Sequence, residues 1–504
     1  MHRLFHISVI VFAALIPLSG QPDDPTERVA HLPEANPYRA VALRWLSLPE
    51  NDRKVLSDWM SPDDSEEKPL APPDASQQEI ARALANDLAA ASKIGASQSE
   101  LWPPKPDPKN PDNPFHFLIP DVGVMRDLAQ ITTKVADNSP AADAIQLYAA
   151  TARFGRDIRS GATLIQGLTG VAVEGIASAG AARRLNAFSP QELELLSSTW
   201  GQLPKPAGIE HALQSERNVF FMPLLERIIL PGLLALQAEG IDTFNAPSRS
   251  KLSPELKNLR LSGLIDADGE QLIHLENIAT GNSFSVTNKR SAQGVKLIRF
   301  DAKAGRAWMR VNDTPAVLDL QSKQFVSARD DIARLQKFLG EDLGNETPAK
   351  TPEWVRRALA HPDGPEGYAI DLIEEYDRRM AEQVLSAQQS KKPQPEADNT
   401  STDPLIAMIM PTMSQVARRM NAAALQPTLL EAAIRHRLGQ PGVTPPDPWS
   451  QPSSDEKPAP FAFEKTPDGG FVLRSAYEIQ TGEPFTYKFA APDAGVQRKP
   501  VSAQ

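Results

Sequence analysis

The hydrophobic pattern of the chain changes its period twice, and this change constrains the fold more than any other feature. From Leu259 to Gln321 apolar and polar residues alternate, which is typical of half-buried strands. On both sides apolar residues recur at helical spacing, as they do in Asp121 to Asp137. The sequence therefore predicts a mostly α-helical α+β multidomain protein that contains a small all-β barrel or roll.

Six short strands form the predicted β module, which is assigned to residues 250–325. They are Leu259 to Ile265, Gln271 to Asn277, Ser283 to Thr287, Val295 to Asp301, Ala307 to Asn312 and Ala316 to Leu320. Glycine in the turns Asp268-Gly269, Thr280-Gly281-Asn282 and Ala304-Gly305 permits the positive φ angles of tight hairpins.

A chain of 504 residues is longer than a typical domain with one hydrophobic core, so we expect two to four domains. The chain holds 46 prolines, about twice the usual fraction of roughly 5%, and many of them lie in connecting segments. The predicted parts, in chain order, are a signal peptide at 1–20, a helical domain at 21–248 with a proline-rich bridge at 103–120, the β module at 250–325, a helical segment at 326–385, a polar linker at 386–403, a long helix with a C-terminal β-hairpin at 404–490, and a disordered tail at 491–504.

Local signals place several helices in the helical domain. Asn36 to Met60 predicts a helical pair, and Ser76 with Glu79 has the spacing of a capping box that begins the next helix. A short turn joins the helices Asp121 to Asp137 and Ala141 to Phe154, which predicts an antiparallel hairpin. We expect this hairpin to pack in a TPR-like manner, although no second copy follows at a fixed period.

The most apolar internal stretch runs from Thr163 to Ala182 and has two interpretations. Its length suits a transmembrane helix, but Glu174 in its interior is costly in lipid and its flanks lack aromatic anchors. We therefore favour a buried core helix. The helix that follows is predicted to begin at Ser189, because Glu192 completes a capping box.

The first twenty residues have the pattern of a secretory signal peptide. Arg3 supplies a positive charge, Leu4 to Leu18 carries no formal charge, and small Ser19 and Gly20 precede Gln21. The uncharged run is shorter than the roughly 20 residues of a membrane span. We expect export to the periplasm or the extracellular space, with a mature chain that begins near Gln21. The alternative is an uncleaved N-terminal anchor.

The lack of cysteine removes several kinds of chemistry. Disulfides, cysteine-ligated zinc, iron–sulfur clusters and thiol catalysis are excluded. The formal net charge of −10 argues against nonspecific binding to nucleic acid or to anionic lipid. We expect no cofactor.

The histidines are the natural candidates for catalysis or metal binding. Those beyond the signal segment are His31, His116, His211, His274, His361 and His436. No pair has the HxxxH or HExxH spacing of a zinc site on a helix. The sequence therefore predicts no catalytic, cofactor-binding or metal-binding residue.

One acidic run, Asp266 to Glu270, resembles the start of a calcium-binding loop. An EF-hand has glycine at the sixth position and an acid at the twelfth, whereas here Gly269 is the fourth residue and Asn277 the twelfth. A β-turn at Asp268-Gly269 explains the run better.

A second acidic run, Glu374 to Arg379, combines three acids with two arginines. Such a run is typical of a solvated helix face with i,i+3 and i,i+4 ion pairs. No nucleophile elbow, phosphate-binding loop or dinucleotide fingerprint occurs in the chain, which lowers the expectation of an enzyme.

Two stretches before residue 300 resemble known families. The run from Asn36 to Arg217, with Thr163 to Gly170, resembles a large group of uncharacterised exported bacterial proteins and implies architecture alone. The β module, with Leu261-Ser262-Gly263 and Gly294 to Leu297, is similar to the small periplasmic β domain of type II secretion inner-membrane components.

The C-terminal part is similar to the end of major pseudopilins. In that family a long helix leads to Asp-Pro-Trp, here Asp447-Pro448-Trp449, and then to a short hairpin, here Phe461 to Phe463 and Gly470 to Leu473. The chain departs from the family in lacking the pilin helix at its N-terminus and in carrying a longer insertion, Ser450 to Pro460. The resemblance therefore implies a shared fold more than pilus assembly.

These observations favour a non-enzymatic scaffold or binding protein of the bacterial envelope, related to secretion or pili. We expect its partner to be another envelope protein, with no nucleic acid and no membrane span in the mature chain. The alternative is a secreted hydrolase whose catalytic groups lie far apart in the sequence, such as His116 or His211 with acids from another helix.

Overall fold

The computed structural model describes residues 25–60, 73–103, 105–106, 117–118, 122–161, 163–238, 258–267, 270–301, 306–312, 314–319, 335, 352–389, 403–409, 413–450, 458–467, 469–480 and 483–489. These residues form a mostly helical α+β protein, which confirms the predicted fold class. Contacts divide the chain into two units. Unit 1 contains Phe220–Glu382 and Glu396–Pro411, and unit 2 contains Ser19–Val219 and Thr412–Gln504.

Unit 2 begins with a helical array. Its helices are α1 Pro25–Ala30, α2 Pro37–Ser47, α3 Glu50–Met60, α4 Ala75–Ile94, α5 Val122–Asp137, α6 Ala141–Arg159, α7 Leu164–Arg184, α8 Pro190–Gly201 and α9 Ile209–Glu216. Strands β1 Lys105–Pro106 and β2 Phe117–Leu118 form a short antiparallel ladder. The predicted hairpin joins α5 to α6 through a tight turn, and α7 packs along both helices.

Helix α7 lies in the core of unit 2. Together with Leu185–Ala187 it is the one helix, within the residues that the structure describes, that is long and apolar enough to cross a membrane. Its most apolar window is 67% buried inside the protein, as expected for a core helix. A Cβ atom placed on Gly155 of α6 would lie 2.7 Å from the main-chain nitrogen of Glu174. Glycine therefore permits the close crossing of α6 and α7.

The same interface buries a group of charges. The carboxylate of Glu174 accepts hydrogen bonds from Arg156 Nε at 2.8 Å and from Arg159 Nη1 at 3.3 Å. The guanidinium groups also donate to the carbonyls of Pro204 and Ala207. Since each of the three charged side chains is at most 6% exposed, each depends on its partners for the solvation that water would supply.

The C-terminal part completes the core of unit 2. Helix α14 Met413–Arg437 packs on α7 and α8, and β9 Ala462–Lys465, β10 Phe471–Gln480 and β11 Glu483–Phe489 form an antiparallel sheet in the order β11-β10-β9. β9 and β10 form the predicted hairpin, and β11 overlaps a third strand that the sequence predicts at Phe485 to Phe489. The side chains of the sheet share one hydrophobic cluster with those of α2 to α8, so residues 422–489 depend on the N-terminal helices for burial.

The described residues of unit 1 form the β module and, after the short helical turns at 222–229, four helices. Its strands are β3 Leu259–Ala267, β4 Glu270–Asn277, β5 Asn282–Thr287, β6 Val295–Asp301, β7 Arg306–Val311 and β8 Thr314–Asp319. Its helices are α10 Leu230–Ala238, α11 Glu353–Leu359, α12 Gly364–Gln389 and α13 Pro404–Ile409. Helix α12 extends four residues into the segment predicted as a linker from Ser386 onward.

The β module consists of two three-stranded antiparallel meanders, β3-β4-β5 and β6-β7-β8. All six observed strands overlap the predicted ones. In the first meander Leu275 pairs with Leu261 on one side and with Phe284 on the other. The apolar side chains of both meanders form one buried cluster, as the alternation predicted.

Helix starts follow local capping chemistry. The predicted box of Ser189 and Glu192 is confirmed, because each side chain accepts from the other's main-chain N–H. The predicted start at Ser76 is wrong. The cap is Asp74, whose box is completed by Gln77, and α4 begins at Ala75.

Two prolines in the helical run that begins at Ile209 each follow a wider turn. Arg217–Phe221 and Leu225–Ile229 are π-helical, and they precede Pro223 and Pro231. A proline lacks the N–H that would bond four residues back, and the wider turn absorbs this loss.

Candidate functional site

A pocket of about 270 Å³ lies in unit 1 where α11, α12 and α13 meet. It is lined by Arg357, His361, Tyr368, Asp371, Leu372, Glu375 and Asp403. Four of these residues, Tyr368, Asp371, Leu372 and Glu375, share one face of α12 because they follow one another at helical spacing. Arg357 comes from α11, and His361 from the turn between α11 and α12.

His361 is held through both of its ring nitrogens. Nε2 lies 3.0 Å from Oδ2 of Asp371, and Nδ1 lies 3.2 Å from the main-chain nitrogen of Asp363. Because Nδ1 faces an N–H donor, it carries no proton, and Nε2 is the nitrogen that donates to the carboxylate. A Cβ atom on Gly367 would lie 2.8 Å from Nδ1, so glycine lets the first turn of α12 approach the ring.

Hydrogen bonds from His361 and Arg310 stabilise the ionised form of the Asp371 carboxylate. The hydrogen bond from His361 lowers its pKa, and the Arg310 guanidinium adds to this effect, whereas partial burial opposes it. Asp371 therefore stays ionised and orients the imidazole ring of His361.

The Asp403 carboxylate accepts hydrogen bonds from uncharged donors, whereas Asp371 also forms ion pairs. The Tyr368 O–H lies 3.0 Å from each of its oxygens, and the Leu405 N–H donates to Oδ1 at 2.9 Å. The latter bond satisfies one of the free amides at the start of α13. Burial nevertheless raises the pKa of Asp403 above its ordinary value, and the two hydrogen bonds only partly offset it. Burial also raises the pKa of Tyr368.

The acidic run Glu374 to Arg379 serves two purposes. Glu375 and Arg378 form the expected i,i+3 pair on α12, at 3.4 Å. Glu374, in contrast, accepts from Arg310 of β7 through Nε at 3.1 Å and Nη2 at 2.9 Å, and from Lys296 of β6 at 3.3 Å. The prediction of a solvated helix face is therefore correct only in part, because Glu374 ties α12 to the β module.

The remaining histidines do not join this pocket in the part of the chain that the structure describes. His211 Nε2 lies 3.0 Å from the carbonyl oxygen of Ser160, to which it donates. His274 contacts the hydroxyl of Ser285, and the His436 ring stacks on Phe463 with centroids 4.4 Å apart. His116, the other histidine named for a hydrolase, lies outside the described residues.

No metal site is visible in the described ranges, where no group of three His, Asp or Glu side chains has a suitable arrangement. The calcium-like run falls between β3 and β4, where Ala267 pairs with Glu270. Asp268 and Gly269 themselves lie outside the described residues.

The pocket brings carboxylates, a phenol and a guanidinium together around a small opening. Its residues were not singled out as a set from the sequence. A signal was present: Tyr368, Asp371 and Glu375 have i, i+3, i+7 spacing on a predicted helix, and His361 precedes that helix. A comparison with known protein families, curated proteins and solved structures finds no match for this chain.

Proposed function

We propose that this chain is an exported, non-enzymatic scaffold of the bacterial envelope that binds another envelope protein. The observation that carries the proposal is the bonding of His361. A general base needs a free nitrogen within reach of the proton it abstracts. Both nitrogens of His361 are already engaged within the chain, so the His361–Asp371 pair positions the pocket wall.

Two further features support the proposal. The pattern at Arg3 to Gly20 favours export. In unit 2, Phe463 of the outer strand β9 is 40% exposed, and its ring stacks on two others, Phe471 at 5.3 Å and His436 at 4.4 Å between ring centroids. Exposed aromatic side chains held by their neighbours are favourable anchors for a protein partner.

The proposal is tested with the intact mature chain as bait in an envelope extract, using chemical cross-linking. Truncation after Leu385 is unsuitable, because α14 and the C-terminal sheet belong to the core of unit 2. The informative variant is Phe463→Ser. Its matched control is Val443→Ser, which alters another exposed apolar residue of the same unit.

We expect one envelope protein to be cross-linked by the unaltered chain and by Val443→Ser, and to be recovered at a much lower level with Phe463→Ser. Recovery of no specific protein in the envelope extract would contradict the proposal. Equal recovery with both variants would leave the scaffold role intact but exclude β9 as its contact.

A secreted hydrolase is the second candidate, and one observation favours it. His361 and Asp371 form a histidine–carboxylate pair at 3.0 Å on the wall of a pocket, an arrangement shared with many hydrolases. Screens against peptides, esters and glycans should accompany the cross-linking. Turnover that is abolished by His361→Gln would establish the hydrolase and overturn the scaffold.

A further inference from the structure

We propose that the pocket between α11, α12 and α13 binds a primary alkylammonium group. This inference does not depend on the protein partner proposed above, because that partner is assigned to Phe463 of unit 2 and the ammonium group to a pocket of unit 1.

The charge balance of the pocket walls is negative. Three carboxylates line it, from Asp371, Glu375 and Asp403, against the single guanidinium of Arg357. That guanidinium turns to Glu353 of its own helix, with Nε 3.0 Å from Oε1. The charge of Arg357 also attracts Asp403 at longer range, but it offsets only part of the effect of burial on that carboxyl, so Asp403 can still gain from a cation that donates hydrogen bonds to it.

Asp403 is the carboxylate with most to gain from a cation. Asp371 pairs with Arg310 and His361, and Glu375 pairs with arginines of α12. Asp403 makes no ion pair with any residue described by the structure. Its oxygens accept from one hydroxyl and one amide, and each oxygen has a further lone pair to offer.

The shape and lining of the pocket favour an alkylammonium ion over a metal ion. An ammonium group carries three N–H donors, which can be shared among the carboxylate oxygens of α12 and of Asp403, the residue before α13. A divalent metal needs several oxygens gathered at one point, and the described residues provide no such group. Leu372 supplies an apolar contact for the carbon chain, and a volume of about 270 Å³ suits a short one.

The decisive variant is Asp403→Asn. Asparagine is as good a helix cap as aspartate, so the start of α13 is preserved while the charge is lost. A charge-assisted hydrogen bond contributes about 1.5–3 kcal/mol, and its loss should weaken binding by about tenfold or more. Glu382→Gln is the matched control, because Glu382 lies on α12 and pairs with Arg378 but does not line the pocket.

The experiment measures binding by calorimetry with n-butylammonium as the probe, and with Nα-acetyl-lysine N-methylamide in a parallel arm. We expect saturable binding of n-butylammonium to the intact chain and to Glu382→Gln, and at least tenfold weaker binding to Asp403→Asn. Binding of the lysine derivative as well would identify protein lysine as a source of the group, and its failure to bind would identify a free amine.

Tetramethylammonium separates the effect of charge from that of hydrogen bonding, because it has the charge but no N–H donor. The unaltered protein provides a second measurement: binding should weaken as the pH falls and Asp403 takes up a proton. The proposal is overturned if neither amine binds saturably, if Asp403→Asn binds as well as the intact chain, or if tetramethylammonium binds equally well.

Discussion

Glu216 accepts a hydrogen bond from the main-chain N–H of Leu164 at 2.8 Å, which places a buried carboxylate at the N-terminus of α7. The start of a helix favours negative charge, since its first amides have no partner within the helix. At Glu216 this favourable effect is smaller than the cost of burying the charge. Burial raises the pKa of Glu216 to about 7, and the Leu164 hydrogen bond offsets only part of the rise. Glu216 therefore changes its charge near neutral pH.

Glu216→Gln should remove a pH dependence from the stability of unit 2. A raised pKa in the folded state means that folding takes up a proton, so the carboxyl stabilises least above its folded pKa. Stability contributed by Glu216 is present below its ordinary pKa of 4.5 and is lost as the pH rises to about 7. The loss amounts to about 3 kcal/mol.

The measurement is urea unfolding at a series of pH values, followed by far-UV circular dichroism. The difference between Glu216→Gln and the intact chain should be small at acidic pH and should favour the variant by about 2–3 kcal/mol above neutral pH. A difference that does not change with pH would show that the pKa of Glu216 is the same in the folded and the unfolded chain, and would contradict the prediction.

Glu174→Gln should destabilise unit 2 strongly. The change leaves the buried guanidinium groups of Arg156 and Arg159 without a counter-charge, and breaking a buried pair in this way costs about 3–5 kcal/mol. The control is Glu194→Gln, which removes a partly exposed pair with Arg435 and should cost less than about 1 kcal/mol. Equal effects of the two changes on the unfolding midpoint would refute the role given to the buried charges.

Gly155→Ala and Gly201→Ala should have effects of opposite sign. The new methyl group at position 155 would meet the backbone of α7, and such overpacking costs about 1–3 kcal/mol. At position 201 no atom lies within 4 Å, and alanine should stabilise the end of α8 by about 0.5 kcal/mol. Differential scanning calorimetry of the two variants tests this contrast, which fails if Gly155→Ala melts at or above the temperature of the intact chain.

The strands of the β module were predictable because their signal is local. Alternation within Gln271 to Asn277 fixes which side chains point to one face, and the observed strand Glu270–Asn277 uses that face to bury Ile273 and Leu275. The cap of α4 was less predictable. Asp74 with Gln77 and Ser76 with Glu79 have the same spacing, and nothing local decides between them.

The pocket could not be assembled from the sequence, because its contacts join distant residues. Arg310 and Asp371 are 61 positions apart, and Tyr368 and Asp403 are 35 positions apart. Helical spacing groups Tyr368, Asp371 and Glu375 on one face of α12, but it does not say which element covers that face. The answer depends on how α13 and the β module pack, which is a property of the whole of unit 1.

We propose that the His361–Asp371 pair positions the pocket and does not transfer protons. This proposal is tested most directly by the ¹⁵N NMR spectrum of the imidazole rings at neutral pH in the mature chain labelled at histidine, with His361→Gln used to assign the signal. We expect a proton on Nε2, which faces Asp371, and a hydrogen-bonded, unprotonated Nδ1. A ring protonated on Nδ1, with Nε2 free to act as a base, would contradict it.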